Sequence, residues 1–358
     1  MKQWMETRAV FDAVAQVRAA GQHGALATVI RVNGSAYRHE GAKLLVTDDG
    51  TVVGNVSGGC LEQDVIEVAR QVMQHGRPVR RAWCGGSDEI AAWDLGVGCE
   101  GEVEILIERL DDARDAERHL LAAEEPFVVV TRVRGDVLAR LVVSANEVHG
   151  SLGDTTTDAR AITLATERLG TDGGVLVGSD DDLLAIEALR PPPRLLVVSG
   201  ADDARELVQV AQRVGFSVTV ADRRPGWLDP SRFAAGTRLV HTTADQLLAH
   251  VALRAEDFAV VMTHDFADDT ATVSALLGSA VGYIGVLGPR ARTARLHSAL
   301  GLDTEQFDER VYAPVGLDIG TDGAEQVALA IVAELLAVRS GRRPRSLRDR
   351  VAPIHAPT

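Results

Sequence analysis

Ser57-Gly58-Gly59-Cys60-Leu61-Glu62 is the stretch of this sequence best equipped for chemistry. Two adjacent glycines let backbone N–H groups come close to a ligand, because no Cβ stands in the way. A helical pattern begins directly after them, and a helix N-terminus favours an anion. Cys60 lies at that helix start, a position at which a thiol becomes a nucleophile. Arg38 and Lys43 add a basic pair just upstream. The competing reading is a tight turn packed on a core, with a buried and inert cysteine. A second thiol, Cys99, follows Gly96-Val97-Gly98. Cys60 and Cys99 together could hold a soft metal or a sulfur-bearing ligand, or pass a sulfur on as a persulfide. Their spacing fits no zinc pattern, since there is neither a C-x-x-C nor a pair of histidines. Cys84, before Gly85-Gly86, has no assigned role.

The C-terminal half offers a different chemistry. A dinucleotide binder carries G-x-G-x-x-G after its first strand and an acid about twenty residues later. Here the turn reads Ser199-Gly200-Ala201-Asp202-Asp203-Ala204, with side chains where two glycines belong and acids beside the phosphate position. Asp222 nevertheless stands where a ribose-binding acid would, with Arg223 beside it. His264, in Met262-Thr263-His264-Asp265, ends another strand and could shuttle a proton; a structural histidine is the alternative. Gly288-Pro289-Arg290, with Arg292, suits an anion clamp, against the alternative of solvated arginines. Asp318 sits in the rigid loop Ala313–Gly320.

Periodicity supplies the elements that must position these residues. A helix is expected over 4–20 and a strand over Ala25–Val32. Lys43–Thr47 and Thr51–Val56 form a hairpin around Asp48-Asp49-Gly50. A helix over Leu61–Met73 and a strand over Val79–Trp83 follow. The next strand alternates Val103, Ile105 and Ile107 inward, with Glu102, Glu104 and Glu108 on a solvated face. A helix over Asp111–Ala123 leads to strands at Phe127–Val133 and Asp136–Ser144. Residues 150–177 read as mixed, with a helix around Ala159–Leu169. Pro191-Pro192-Pro193 marks a linker. Beyond it, strands at Leu195–Val198, Ser217–Ala221, Leu239–His241, Phe258–Met262 and Tyr283–Leu287 alternate with helices, the rhythm of a doubly wound parallel sheet. Glu325–Val338 is a closing helix, and Arg339–Thr358 a basic tail. The fold class is therefore α/β: an N-terminal mixed α/β domain (1–110), an intermediate α/β segment with the linker (111–190), a Rossmann-like C-terminal domain (191–340) and the tail (341–358).

The bulk properties narrow the function classes. At 358 residues, 46% hydrophobic and 25% charged, the chain has ample core, and its 4% aromatics suit aliphatic α/β strands. A net charge of −14 argues against a nucleic-acid or anionic-membrane binder. Three cysteines make no disulfide framework. With no signal-peptide pattern and no apolar run long enough to span a bilayer, a cytoplasmic location is expected.

In combination the motifs resemble the XdhC/CoxI family of accessory proteins for molybdenum hydroxylases. The resemblance rests on Gly34–Arg38 with Gly41-Ala42-Lys43, on Ser57–Glu62 and on Gly96–Cys99. In the second half it rests on Asp202–Ala204, Asp222-Arg223, Met262–Asp265, Tyr283–Arg290, Ala313–Gly320 and Ala328–Glu334. It implies binding of molybdenum cofactor (molybdopterin), its protection during sulfuration by a cysteine desulfurase, and insertion into a client of the xanthine dehydrogenase or carbon monoxide dehydrogenase type. On that basis Arg38, Lys43, Ser57, Gly58, Gly59 and Glu62 would bind cofactor, with Cys60 and Cys99 contacting molybdenum or sulfur. Gly200, Asp202, Asp222, Arg223, Gly288 and Arg290 would serve the second domain, with His264 for proton transfer. The chain departs from the family pattern at Tyr37, Glu40, Leu44, Glu100, Ser199 and Ala201. The expectation is a non-catalytic chaperone. The alternatives are an NAD(P)-dependent oxidoreductase on the same scaffold and a ligand-free adaptor between desulfurase and client. An exposed apolar helix face could support a homodimer.

Overall fold

The computed structural model describes residues 2–34, 36–84, 102–110, 114–301 and 309–351. The chain divides into two compact units, Met1–Pro191 and Pro192–Thr358, separated within the proline run.

The first unit opens with helix α1 (Lys2–Ala19), then strands β1 (Gly24–Asn33), β2 (Lys43–Thr47) and β3 (Val52–Gly54), helix α2 (Glu62–His75), and strands β4 (Val79–Cys84) and β5 (Glu102–Arg109). These strands form one antiparallel sheet in the order β3-β2-β1-β5-β4. Beyond β5 come helix α3 (Asp115–Ala123), strands β6 (Phe127–Arg134), β7 (Val137–Ser144) and β8 (Val148–Ser151), helix α4 (Thr155–Thr166), and strands β9 (Gly173–Ser179) and β10 (Asp182–Leu189). They make a second antiparallel sheet, ordered β8-β7-β6-β10-β9. The α2 stripe of Val65, Val68, Ala69 and Val72 is buried against β1 and β5. Each such valine contributes about 1.5–3 kcal/mol relative to exposure. Ala161 and Ala165 of α4 pack on the second sheet in the same way. The two sheets meet through Ile30 and Leu106 on one side and Val133, Leu183 and Ala185 on the other. Helix α1 spans both: Val10, Val14 and Val17 pack on Leu26 and Leu45, while Trp4 and Phe11 pack with Leu120 and Phe127.

This double-sheet arrangement corrects two expectations. Residues 173–189 form paired strands, an element the sequence reading leaves out, and the helix before them starts at Thr155 rather than Ala159. Glu104 and Glu108 are buried, not solvated, because β5 is covered on both faces. Each carboxylate is neutralised by two arginines, Arg31 and Arg80 on Glu104 and Arg114 and Arg140 on Glu108.

The second unit runs β11 (Arg194–Val198), α5 (Asp202–Arg213), β12 (Ser217–Asp222), β13 (Arg238–His241), β14 (Phe258–Val261), α6 (Phe266–Leu277), β15 (Tyr283–Val286), α7 (Arg290–Leu300), β16 (Val311–Tyr312) and α8 (Ala324–Arg339). Its sheet is parallel throughout, in the order β13-β12-β11-β14-β15-β16. Numbered within the unit that is 3-2-1-4-5-6, the doubly wound order in which ligands bind at the carboxyl ends of the strands. Among the described residues, no helix is long and apolar enough to cross a membrane.

Candidate functional site

Between β3 and α2 the chain makes a loop that its own glutamate braces. Glu62, the first residue of α2, turns its carboxylate back over residues 56–59. Oε1 accepts the amides of Ser57 at 2.9 Å and Val56 at 3.2 Å, and Oε2 accepts that of Gly59 at 2.8 Å. The Ser57 hydroxyl donates to Oε2 as well, and accepts the Leu61 amide at 2.9 Å. Burial pushes the Glu62 carboxyl up, but these donors outweigh it and hold it below the usual carboxylate range. The Gly58 amide donates to Asn55 Oδ1 at 2.8 Å, and the Asn55 amide to the Lys43 carbonyl at 2.9 Å.

The glycine amides expected to face an incoming anion are thus already engaged by Asn55 and Glu62. Glu62 itself serves as an internal anion and not as an open ligand. What the loop offers outward is Cys60, which is exposed, its Sγ 3.8 Å from the Ser57 carbonyl. Gly58 is required for a specific reason. Its φ is +92°, and a Cβ there would lie 2.5 Å from the ring of Tyr37.

Tyr37 connects the loop to a cleft of about 190 Å³ lined by Gln3, Glu6, Tyr37, Arg38, His39 and Glu40. Arg38 is largely buried and forms a two-pronged pair with Glu6, one contact at 3.0 Å. Its Nε is buried with no hydrogen-bond partner. A donor left in that state costs about 1–3 kcal/mol, while the guanidinium's outer nitrogens are taken by Glu6. Lys43 does not share this position. Its side chain is 1% exposed and its ammonium lies 2.6 Å from Glu187, with the Gly41 carbonyl at 3.2 Å. Buried and neutralised, it is closed to an external phosphate.

Cys99 and the Gly96–Cys99 motif lie outside the described residues. Cys84 and Glu102, the ends of β4 and β5, are cross-strand partners, and Glu102 also pairs with Asn33 at the end of β1. Among the described residues no group of three or more histidine, cysteine, aspartate or glutamate side chains is placed to hold a metal.

In the second unit the turn after β11 is covered by its own chain. A Cβ on Gly200 would lie 2.6 Å from the Trp227 carbonyl, so this glycine admits Trp227 where a pyrophosphate was expected. Arg232 donates to the Gly200 carbonyl at 3.2 Å and to Asp202 at 3.0 Å. Arg224 and Arg232 lie 5.0 and 4.7 Å from the centre of the Trp227 ring. Asp222 is buried at the end of β12, where the sequence places it, but its partners are internal: the Gly200 amide at 2.7 Å and the Arg224 amide and guanidinium. Burial raises the Asp222 carboxyl, yet the Arg224 and Gly200 donors hold it below the usual range. Beside it Arg223 pairs with Asp268. The hollow at the ends of β11, β12 and β13, lined by Val198, Ala221, Asp222, Thr242 and Leu247, measures about 30 Å³, room for a water.

His264 has φ +63° and its Nε2 lies 2.7 Å from Asp203 of α5. The neighbouring Thr263 hydroxyl donates to Asp269 at 2.6 Å, and Asp269, fully buried, pairs with Arg292 at 2.5 Å. The Arg292 stem covers Gly288, while Arg290, the first residue of α7, is exposed. Asn55, Tyr37, Glu6 and Asp269 are site residues the sequence reading does not reach. Only Asn55 carried a local signal, as a turn-forming residue between Gly54 and the Gly58-Gly59 pair.

Residues 17–82 match the model of the XdhC and CoxI family, and residues 195–335 that of the XdhC Rossmann domain. A probable xanthine dehydrogenase subunit of Bacillus subtilis (strain 168) is 29% identical over 322 residues, 89% of this chain and 94% of that protein. The molybdenum cofactor insertion chaperone PaoD of Escherichia coli (strain K12) is 24% identical over 324 residues, 89% of this chain and 84% of its own. The crystal structure of a xanthine dehydrogenase from Bacillus halodurans superposes with a TM-score of 0.76 at 28% identity, covering 94% of this chain and 97% of that one. An exposed cysteine on a glutamate-braced loop, followed by a parallel-sheet unit, is thus found in a chain that belongs to the XdhC and CoxI family.

Proposed function

We propose that this protein takes part in the maturation of a molybdenum hydroxylase, as a chaperone that binds molybdenum cofactor and delivers it to the client enzyme. The observation that carries the reading is the Cys60 thiol, held outward by a braced loop next to a cleft lined by Arg38. The printed names of two relatives, one a xanthine dehydrogenase component and one a cofactor insertion chaperone, support it.

The residues present fit such a group. Arg38 is a guanidinium of the kind that pairs with phosphate oxygens, in exchange for Glu6, and a thiolate is a soft ligand suited to molybdenum or sulfur. When bound, the cofactor would supply a metal centre able to carry a terminal sulfur. The chain's own contribution is to hold Cys60 in one place and to offer a cation beside it. Sulfuration by a cysteine desulfurase while the cofactor is held, and pairing of two copies, extend the same proposal. The test is retention of molybdopterin on purification, read as fluorescent pterin after oxidation. Wild type should retain it, Cys60→Ala less, and Arg38→Met less. Equal retention by all three would remove both residues from the site, and no pterin on any of them would end the reading.

An NAD(P)-dependent oxidoreductase has the strand order and Asp222 in its favour. Asp222 and Gly200 are engaged with Arg224 and Trp227, however, so a dinucleotide would have to displace both. Titration with NAD(H) and NADP(H) decides; saturable binding would restore that reading.

A further inference from the structure

The first unit contains the same module twice. Its elements run α-β-β-β-α-β-β from Lys2 to Arg109, and again from Asp115 to Leu189. Both sheets have the order 3-2-1-5-4 with every neighbouring pair antiparallel. The registers correspond, apart from a shift between Val29 and Arg31 in the first copy. Thr28 faces Lys43 and Leu106, as Thr131 faces Arg140 and Ala185. On that register Lys43-Leu44-Leu45-Val46-Thr47 corresponds to Arg140-Leu141-Val142-Val143-Ser144, and Glu108 to Glu187. Gly54 corresponds to Gly150. Both have positive φ, and a Cβ on either would strike the carbonyl of its cross-strand neighbour, Lys43 or Arg140.

The two copies also face each other reciprocally. Lys43 of the first pairs with Glu187 of the second, and Arg140 of the second with Glu108 of the first. If residue i contacts j′ and i′ contacts j, the interface is that of a twofold dimer. The copies differ in the connection to the helix. It comprises residues 55–61 in the first and 152–154 in the second. A helix acid caps the equivalent amide in both, Glu62 on Val56 and Asp158 on Leu152, but a cysteine is present only in the longer one.

We infer that residues 2–189 are an internal dimer of one duplicated module, in which Glu187 of the cysteine-free copy is the positioning residue for the Ser57–Glu62 loop of the other. The route is continuous. Glu187 fixes the Lys43 ammonium, the Lys43 carbonyl accepts the Asn55 amide, and Asn55 Oδ1 accepts the Gly58 amide. Glu187 also packs on Gly41, in the hairpin that carries Tyr37 onto Gly58. This inference does not rest on the cofactor reading.

The duplication supplies the control, since Glu108 is the equivalent of Glu187 but has no cysteine loop to hold. Amide exchange of Gly58 and Gly59 in the full-length protein is the readout, with the alkylation rate of Cys60, resolved by peptide mass spectrometry, as a second. E187Q should speed loop exchange about tenfold, one logarithmic unit of local protection. E108Q should destabilise the unit without changing loop exchange, and the exchanged pair K43E/E187K should restore protection. If E187Q is folded and its loop exchanges as in wild type, or if E108Q speeds that loop as much, the positioning role is overturned. Should E187Q not fold, K43M/E187L keeps the question open to measurement. Faster loop exchange supports the role and wild-type exchange refutes it. Because neither readout involves pterin, a failure here is separate from a failure of cofactor retention.

Discussion

Removing the Glu62 carboxylate should release the cysteine loop while leaving the rest of the first unit folded. Three of its four donors belong to buried residues, the amides of Val56 at 0% and Ser57 at 6% exposure and the Ser57 hydroxyl. An unsatisfied buried donor costs about 1–3 kcal/mol. The Gly59 amide belongs to an exposed residue and rehydrates, and the Ser57 hydroxyl can rotate. Two stranded amides give about 2–6 kcal/mol, and because an exposed loop relaxes, the lower half, about 2–4 kcal/mol, is expected for Glu62→Ala. Glu62→Gln keeps one acceptor oxygen but loses the charge, for about half that cost. Denaturant unfolding gives the stability, and amide exchange of Val56, Ser57 and Gly59 gives the location. The sign with pH follows from the lowered carboxyl. Its contribution is complete above the ordinary glutamate value of about 4.3 and disappears as pH falls through the lower folded value. The gap between wild type and Glu62→Gln should therefore be full at neutral pH and close in acid. Unchanged exchange of Ser57 and Gly59 in Glu62→Gln, or a gap that survives in acid, would refute the bracing argument.

Glu334 should behave in the opposite sense. Burial raises its carboxyl above the usual range, while Gly316 and Tyr283 donate to it. Its contribution to stability is full below about 4.3 and is lost as pH rises through the raised value. Glu334→Gln, which still accepts both donors, should match wild type in acid and exceed it at neutral pH, in thermal unfolding of the second unit. Gly58→Ala should cost about 1–3 kcal/mol from φ and the clash with Tyr37, and Tyr37→Ala should recover only the steric part. Asp269→Asn should destabilise the second unit by about 3 kcal/mol, because Arg292 loses a buried partner; a change within 0.5 kcal/mol would mean that the Thr263–Asp269–Arg292 link carries no weight.

The second unit was legible because its strands are short aliphatic runs with helical spacing between them, a pattern produced by burial on both faces. Leu195–Val198, Ser217–Asp222 and Tyr283–Val286 fall where the sequence puts them. The first unit was legible up to β7 and then not. Gly173-Gly174 and the edge position of β9 weaken its strand pattern, and nothing local announces that β10 will pair with β6. The buried Glu104 and Glu108 misled for a related reason. Alternation indicates two faces, but not that the polar one is covered by a second sheet bringing Arg140 to meet it. At the site, residue types were readable and their partners were not. Arg38 with Glu6, Lys43 with Glu187 and His264 with Asp203 are pairs far apart in sequence, set by topology alone.

Those partners bear on the two ends of the protein at which the sequence offers a glycine turn, of which it already favours Ser57–Glu62. Each end carries glycines before a helix, and each could have received an anion. After β11 the acids, the arginines and Trp227 fold back onto Gly200, and a ligand there must compete with hydrogen bonds already formed. After β3 a single internal carboxylate occupies the amides, and its effect is to fix the loop rather than to close the site. The thiol is exposed, and Arg38 lines the neighbouring cleft. A ligand arriving at Gly200 must break the hydrogen bonds of Asp222 and Arg232, whereas the Cys60 thiol is already exposed. That difference is the reason for placing the proposed binding function on the first module.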